Sequence, residues 1–342
     1  MLKLAKMNDS IPIFTSADQV IRDTYTYLGI DTEMRFAVNG KTVWPHLEGL
    51  KQERSSFERS ADWHGDGYAF ELCTLPEYCL ETLHINLSRG FQEILQVLKD
   101  RHSNASEENI LVLPNCLFKV PMSVQDSAPD VVKRLGCSAS MNVYGDAGDP
   151  DKLGQSVRTT GCHLHITHDS LNDDEKLAYA LVRWADILVG NTWNFISPES
   201  SKKEALRRVA YGRAGEFRTR TYPTTRNSHK CKGVEYRVLP GTIMQNPVYL
   251  TLSFNLYRTA LRFALTYGRP PDEVTEITRH AINTADKTAS KNVLDWLPFE
   301  DNARTFLALL QQEPLEVWTP AKWSQNERLY GHRWLAKKKH LF

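Results

Sequence analysis

The feature that most restricts the fold is a change of period at Pro247. Before it, short runs rich in aromatic and β-branched residues alternate with turns; after it, the apolar spacing is helical almost without a break. Strand-like runs fall at Met34 to Val38, Lys41 to Trp44, Gly67 to Thr74, Asn109 to Leu113, Ser138 to Tyr144, Gly161 to Thr167, Glu216 to Thr221 and Gly233 to Leu239. Asn39-Gly40 sits between the first two and tolerates the positive φ angles of a tight hairpin, so the strands are expected to form a mainly antiparallel sheet. Helices are expected over Arg89 to His102, Asp173 to Trp193 and Pro198 to Tyr211, the last with Ser197-Pro198 as cap and first turn and Gly212 as its stop. Beyond Pro247, Val248 to Tyr267, Pro271 to Asn292 and Asp301 to Gln312 read as helices. The predicted class is α+β, with a core over residues 1–246 and a helical C-terminal subdomain over 247–342 packed on it.

With 342 residues, 41% of them hydrophobic and 24% charged, the chain can bury a large core, which excludes disorder as its main state. The net charge of +1 gives no whole-molecule reason for a polyanionic partner. That average hides a local asymmetry. Lys202 to Arg237 carries eleven basic and three acidic residues, leaving the rest of the chain with an excess of acid. The six cysteines, Cys73, Cys79, Cys116, Cys137, Cys162 and Cys231, contain no CxxC pair, which argues against a disulfide framework and a four-cysteine zinc site. Met1 to Asp18 lacks the apolar centre of a signal peptide, and no window approaches the roughly 18 apolar residues of a membrane span. The expectation is a cytoplasmic protein with no membrane partner. Lys337-Lys338-Lys339 reads as a solvated tail.

The chemistry-bearing strings share one geometry. In Gly161-Cys162-His163-Leu164-His165, alternation on a strand turns both imidazoles to one face and Cys162 and Leu164 to the other. Asp31-Thr32-Glu33 places two carboxylates on one side of a strand, Glu71 interrupts the apolar run Tyr68-Ala69-Phe70-Glu71-Leu72, and Glu235-Tyr236-Arg237 pairs opposite charges. Singly, each of these reads equally well as an exposed edge, a satisfied histidine or a salt bridge. Together they make a sheet face that is costly to bury and well suited to hard divalent cations, with Mn2+ accepting an imidazole as well. Neither a GxxxxGK[ST] loop nor a GxGxxG turn after a strand is present, so a bound triphosphate would depend on metal ions and arginines.

The ordered set Asp31-x-Glu33, Asp66-Gly67 with Glu71, Gly136-Cys137 followed by Asn142 and Tyr144, Arg158-x-x-Gly161-x-His163-x-His165, Arg208-x-x-Tyr211-Gly212-x-Ala214-Gly215-x-x-Arg218, and Glu235-x-Arg237 resembles the phage-encoded COOH-NH2 ligases, or amidoligases. These are similar to glutamate-cysteine ligases and, more remotely, to glutamine synthetases. The resemblance spans about Gly29 to Pro247 and rests on the order and number of its pieces. It implies a curved, mainly antiparallel sheet of about six or more strands, helices on its convex side, and an ATP site with about two or three Mg2+ or Mn2+ ions. It further implies that Glu33, Glu71, His163 and Glu235 ligate metal, with Asp31 in or just behind that set because the wider superfamily often has Glu-x-Glu here. His165 would approach the terminal phosphates, and Arg237 would neutralise the transferred phosphate. Arg158 and Arg213 would also contact the nucleotide, while Arg213, Arg218 and Arg220 could hold γ-phosphate or the carboxylate substrate. The long Thr221 to Lys232 stretch looks like an inserted loop, a candidate lid.

The implied reaction joins a carboxylate substrate to an amine substrate through an acyl phosphate. Neither substrate can be named from the sequence: a small molecule, a peptide and a modified nucleotide all remain open, as does the oligomeric state. Two other readings compete. A zinc hydrolase would use His163, His165 and His168, although the spacing departs from His-x-His-x-Asp-His and a zinc site has few spare carboxylates. A nucleic-acid binder would use the basic segment 202–237, which is interleaved with Tyr211, Phe217, Tyr222 and Tyr236.

Overall fold

The computed structural model describes residues 11, 26–50, 61–113, 116–133, 140–154, 156–172, 174–223 and 230–325. In chain order the strands are β1 (Tyr27–Val38), β2 (Lys41–Val43), β3 (Ala61–Asp66), β4 (Ala69–Thr74), β5 (Ile110–Leu113), β6 (Leu117–Lys119), β7 (Met141–Asn142), β8 (Val157–Thr159), β9 (Gly161–Thr167), β10 (Glu216–Pro223) and β11 (Lys230–Pro240). Nine of them form one sheet among the described residues, ordered β3-β4-β1-β9-β11-β10-β7, with β2 and β5 extending the far half of β1. β6 and β8 pair separately. Every pairing between these strands is antiparallel, so the α+β class with a large, mainly antiparallel sheet is the one observed.

The Asn39-Gly40 turn has φ of 52° and 73° and joins β1 to β2 as the pair's backbone freedom predicts. β3 was not expected. It precedes Gly67, whose φ of 57° closes the β3–β4 hairpin. The Thr221 to Lys232 stretch is less of a loop than its composition suggests, because β10 and β11 stay paired as far as Pro223 and Lys230. Residues 224–229 at its tip lie outside the described residues, as do Gly136, Cys137 and the triple-lysine tail.

Helix boundaries differ from the expectations where caps decide them. The first long helix begins at Leu80, nine residues earlier than its clearest apolar spacing. The helix expected from Pro198 runs from Ser201 to Ala210, and its N-cap is Ser200, whose side chain accepts the Lys203 N–H. The segment 271–292 splits into Asp272–Thr284 and Lys287–Trp296, because Ala285 adopts a left-handed φ of 53° and the Asp286 side chain caps the second piece.

Alternation sorts the sheet into two unlike faces. Ile30, Met34 and Phe36 of β1, Phe70 and Leu72 of β4, Leu164 and Ile166 of β9, and Val234 and Tyr236 of β11 are buried on one face. Helices Leu80–Arg101, Glu175–Ala185 and Pro247–Tyr267 cover that face. The last of these is apolar almost all round and correspondingly buried. Its Tyr257 hydroxyl donates to the Val234 carbonyl at 3.1 Å, tying helix to sheet. Residues after 247, among them Val248, Phe254, Val293, Phe306 and Trp323, share one hydrophobic core with the strands.

The helix expected over 173–193 contains a wide π-helical turn, Asp186–Gly190, between Glu175–Ala185 and Asn191–Ile196. There the fully buried Asp186 carboxyl accepts hydrogen bonds from Tyr144 at 2.9 Å and Tyr236 at 2.8 Å. Burial raises its pKa to about 7, against the hydroxyl bonds and the nearby Arg208 that oppose the shift. The folded state therefore holds a proton that the unfolded chain releases near pH 4, so stability falls as pH rises from about 4 to about 7. Asp186→Asn is expected to make that fall shallower by up to about 1.4 kcal/mol per pH unit, measured by urea denaturation across the window.

Candidate functional site

The opposite face of the sheet carries the charges. Cross-strand partners share a face, and the registers place Asp31 opposite His163, Glu33 opposite Glu71, Glu71 opposite His64, His165 opposite Glu235, and Glu235 opposite Arg218. Five strands, β3, β4, β1, β9 and β11, thus bring residues far apart in sequence onto one surface, with β10 adding its arginines at the side. Gly29 on β1 is the cross-strand neighbour of His165.

Each histidine lies between a carboxylate and a tyrosine hydroxyl. His163 has Nδ1 3.4 Å from Glu235 Oε1 and accepts from the Arg237 guanidinium at 3.3 Å, while its Nε2 meets the Tyr211 hydroxyl. His165 has Nε2 3.3 Å from Asp31 Oδ2, and its Nδ1 meets the Tyr222 hydroxyl. Burial, and next the Arg237 charge, push the His163 pKa well below its ordinary value, so this imidazole is neutral and has the form a metal ligand needs.

Glu235 is the hub. It is fully buried, and Arg237 contacts its Oε1, Arg220 reaches its Oε2 at 2.7 Å, and Arg218 lies 3.8 Å from it. Three guanidiniums around one carboxylate leave local positive charge in excess, suited to an incoming polyanion. Arg237 also donates to Ser140 Oγ at 3.0 Å and lies over the Tyr211 ring.

Arg237 sits in a bulge of β11. Tyr236 pairs with Leu164 and Leu239 with Cys162, so β11 spends three residue steps where β9 spends two. The Val238 carbonyl then accepts from Arg207 at 2.8 Å and from Arg208 at 3.0 Å. Both arginines are completely buried on helix Ser201–Ala210, with Glu204 as their common carboxylate, 3.1 Å from Arg207 and 3.5 Å from Arg208. Burial alone would raise the Glu204 pKa, yet the two guanidiniums outweigh it and hold the carboxyl below its usual range.

The other flank is acidic. The Glu33 pKa is raised well above the ordinary value by burial, then by Asp66 and Glu71, although the Gly161 N–H donates to its Oε2 at 2.7 Å. Asp66 is raised to about 6 by burial and by Glu71. A cation would relieve this repulsion, and the donors suit one. Ligand atoms of Asp31, His163 and Glu235 lie within 4.8 Å of one another, as do those of His64, Glu71 and Cys73. The first set, two carboxylates with one imidazole, matches Mg2+ or Mn2+ better than zinc, whereas the Cys73 thiol gives the second a softer donor.

Asp31, Glu33, Glu71, His163, His165, Glu235, Arg218 and Arg237 therefore share the face expected of them. Arg213 does not join them: its guanidinium is held by Asp146, which Arg279 also contacts at 3.1 Å. Arg158, on β8, stacks over Tyr68 and donates to the backbone carbonyls of Val157 and Lys133. His168 accepts the Ser170 N–H at 3.1 Å, and among the described residues no group of candidate ligand atoms unites it with His163 and His165, so the zinc triad is not formed there. In the basic segment, Arg207, Arg208, Arg218 and Arg237 are buried, which removes them from any exposed backbone-tracking patch. Sequence reading passed over His64, which lies 3.1 Å from Glu71, although His64-Gly65-Asp66 shows the same alternation as the strings around it.

Breaking the Glu204 cluster tests its support of the site. Glu204→Gln leaves two buried guanidiniums without a carboxylate and is expected to cost about 3 kcal/mol of stability in urea denaturation.

No protein-family model matches the chain, and no curated protein matches it. Among solved structures, the chain is similar to one described as the complex between the prokaryotic ubiquitin-like protein Pup and its ligase PafA. The identity is 11% and the TM-score 0.36, over 92% of this chain and 68% of that one.

Proposed function

We propose that the protein is an ATP- and divalent-metal-dependent ligase that joins a carboxylate to an amine. The supporting observation is a single sheet face on which Asp31, Glu33, Glu71, His163, His165 and Glu235 adjoin Arg218, Arg220 and Arg237. Asp31, His163 and Glu235, with Glu33 and Glu71 beside them, would hold Mg2+ or Mn2+, which when bound offset the charge of a triphosphate. Arg218, Arg220 and Arg237 are placed for the terminal phosphate, and His165 is the nearby imidazole.

A carboxylate does not yield to an amine at neutral pH because its oxygen is a poor leaving group. Attack of a carboxylate oxygen on the γ-phosphorus forms an acyl phosphate and releases ADP. The amine nitrogen then bonds to the acyl carbon, phosphate leaves, and the nitrogen gives up a proton. The chain's contribution is positioning and charge neutralisation, with the arginines set against negative charge in the phosphoryl-transfer step. The buried Glu235 keeps those arginines aligned until the nucleotide arrives. A phage origin, cytoplasmic location, and a small-molecule, peptide or nucleotide substrate belong to the same reading.

The deciding experiment is ADP release across a panel of amino acids, polyamines, peptides, nucleotides and modified DNA, with Mg2+ or Mn2+ present. Glu235→Gln and His163→Ala are each expected to lower turnover by about 100-fold or more while circular dichroism stays unchanged. Undiminished turnover in both would remove these residues from the site. Chelation by EDTA is expected to abolish ADP release and re-addition of Mn2+ to restore it, and hydroxylamine should trap the acyl phosphate as a hydroxamate.

A further inference from the structure

Among the described residues, a strongly basic side chain on this face, that of Arg35, is buried without an acidic partner. Arg35 lies two residues beyond Glu33 on β1 and has 7% of its surface exposed. Among the described residues it forms no ion pair, and its one side-chain partner is Thr42 Oγ1, at 3.4 Å from Nη2. Its Nε is buried with no hydrogen-bond acceptor. The guanidinium lies instead against two rings, 4.1 Å from the Phe118 centroid and 5.4 Å from that of Trp44. Burial without a counter-charge lowers its pKa to about 10.

The same cluster contains a second orphaned donor. Tyr68 is 2% exposed, and its buried hydroxyl has no partner. Its ring meets Trp44 edge-on at 6.2 Å. Phe118 and Arg158 face each other across the β6–β8 ladder, so that ladder brings one ring to Arg35 and one guanidinium to Tyr68. Buried donors without acceptors cost roughly 1–3 kcal/mol each, more when charged, so these two, beside the His46 ring that meets Tyr68 edge-on at 5.5 Å with both its nitrogens also unpartnered, point to an acceptor supplied from outside.

We propose that Arg35 and Tyr68 form a binding site for an organic carboxylate, walled by Trp44 and Phe118. A guanidinium fork and a hydroxyl match the planar, monoanionic carboxylate group, and the rings suit a short apolar stem beside it. A phosphate dianion fits less well, since among the described residues of this cluster Arg35 is the one guanidinium not engaged by carbonyls, Arg158 donating to two of them. The strand rise sets Arg35 about 7 Å along β1 from Glu33, so a bound carboxylate would lie at the edge of the acidic flank. The site depends on no step of the ligase reaction.

The test is isothermal titration of the full-length chain with glutarate, butyrate and inorganic phosphate, in EDTA and without ATP, so that its outcome stands apart from any result on ADP formation. Saturable binding of the carboxylates is expected, weakened about tenfold by Tyr68→Phe and lost in Arg35→Met. Thermal melts supply the control against a merely structural role. Arg35→Met removes an uncompensated buried charge, so without ligand its Tm should equal or exceed that of the natural chain, and the carboxylate-induced rise in Tm should disappear. The proposal fails if no carboxylate binds, if both variants bind as the natural chain does, or if Arg35→Met melts lower because the cation–ring packing was the purpose. It also fails if phosphate binds through Arg35 as tightly as the carboxylates do.

Discussion

A carboxylate with no solvent exposure, ringed by three arginines, sets the terms for the rest of the fold. Glu235 lies inside a sheet face with Arg237, Arg220 and Arg218 around it, and their charges offset the cost of burying a carboxylate there. Holding those arginines requires further structure. Arg237 sits in a bulge of β11, two guanidiniums take up the Val238 carbonyl of that bulge, and Glu204 balances them. Each layer satisfies a polar group left by the layer before. The chain of dependence runs from the site through Val238 to a helix on the far side of the bulge.

The two faces of the sheet divide the labour. The apolar face, covered by three long helices, provides the hydrophobic burial that holds the molecule together. That burial offsets the cost of the other face, where Glu33, Asp66 and Glu71 repel one another and His163 is kept neutral. A protein optimised for stability alone would not collect like charges in this way. Perturbed groups gathered on one surface are what the proposed site for cations and phosphate would use, and the acidic and basic flanks are adjacent. The excess of arginine in one segment and of acid elsewhere is the linear trace of that arrangement.

Much of this was legible before folding. Alternation within Gly161 to Thr167, Asp31 to Glu33 and Glu235 to Arg237 places residues on strand faces because the strand period is fixed by backbone geometry, and the structure puts these side chains on the faces so assigned. The Asn39-Gly40 hairpin and the helices after Pro247 follow from equally local rules. Caps were harder to read, since Ser197 and Ser200 are both competent and only the path of the chain selects Ser200. Short strands such as β3 and β6 had too few residues to show a period, and with β3 went His64. Arg213 and Arg158 were expected at the nucleotide alongside Arg218; Asp146 and Tyr68, remote from them along the chain, separate their environments.

The sequence by itself determined which residues stand on which face of which strand, and that the second part of the chain is helical, because both depend on dihedral preferences and short-range periodicity. It left strand order and register open, since these are chosen by burial summed over many distant pairs. Tertiary structure alone decided that Asp31 would face His163, that Glu235 would collect three arginines, and that Val238 would be held by two more. It also decided that Arg35 and Tyr68 would both be buried against Trp44, with Arg35 Nε and the Tyr68 hydroxyl left without acceptors. Local rules fix where a side chain points; only the closure of the whole sheet fixes what it meets.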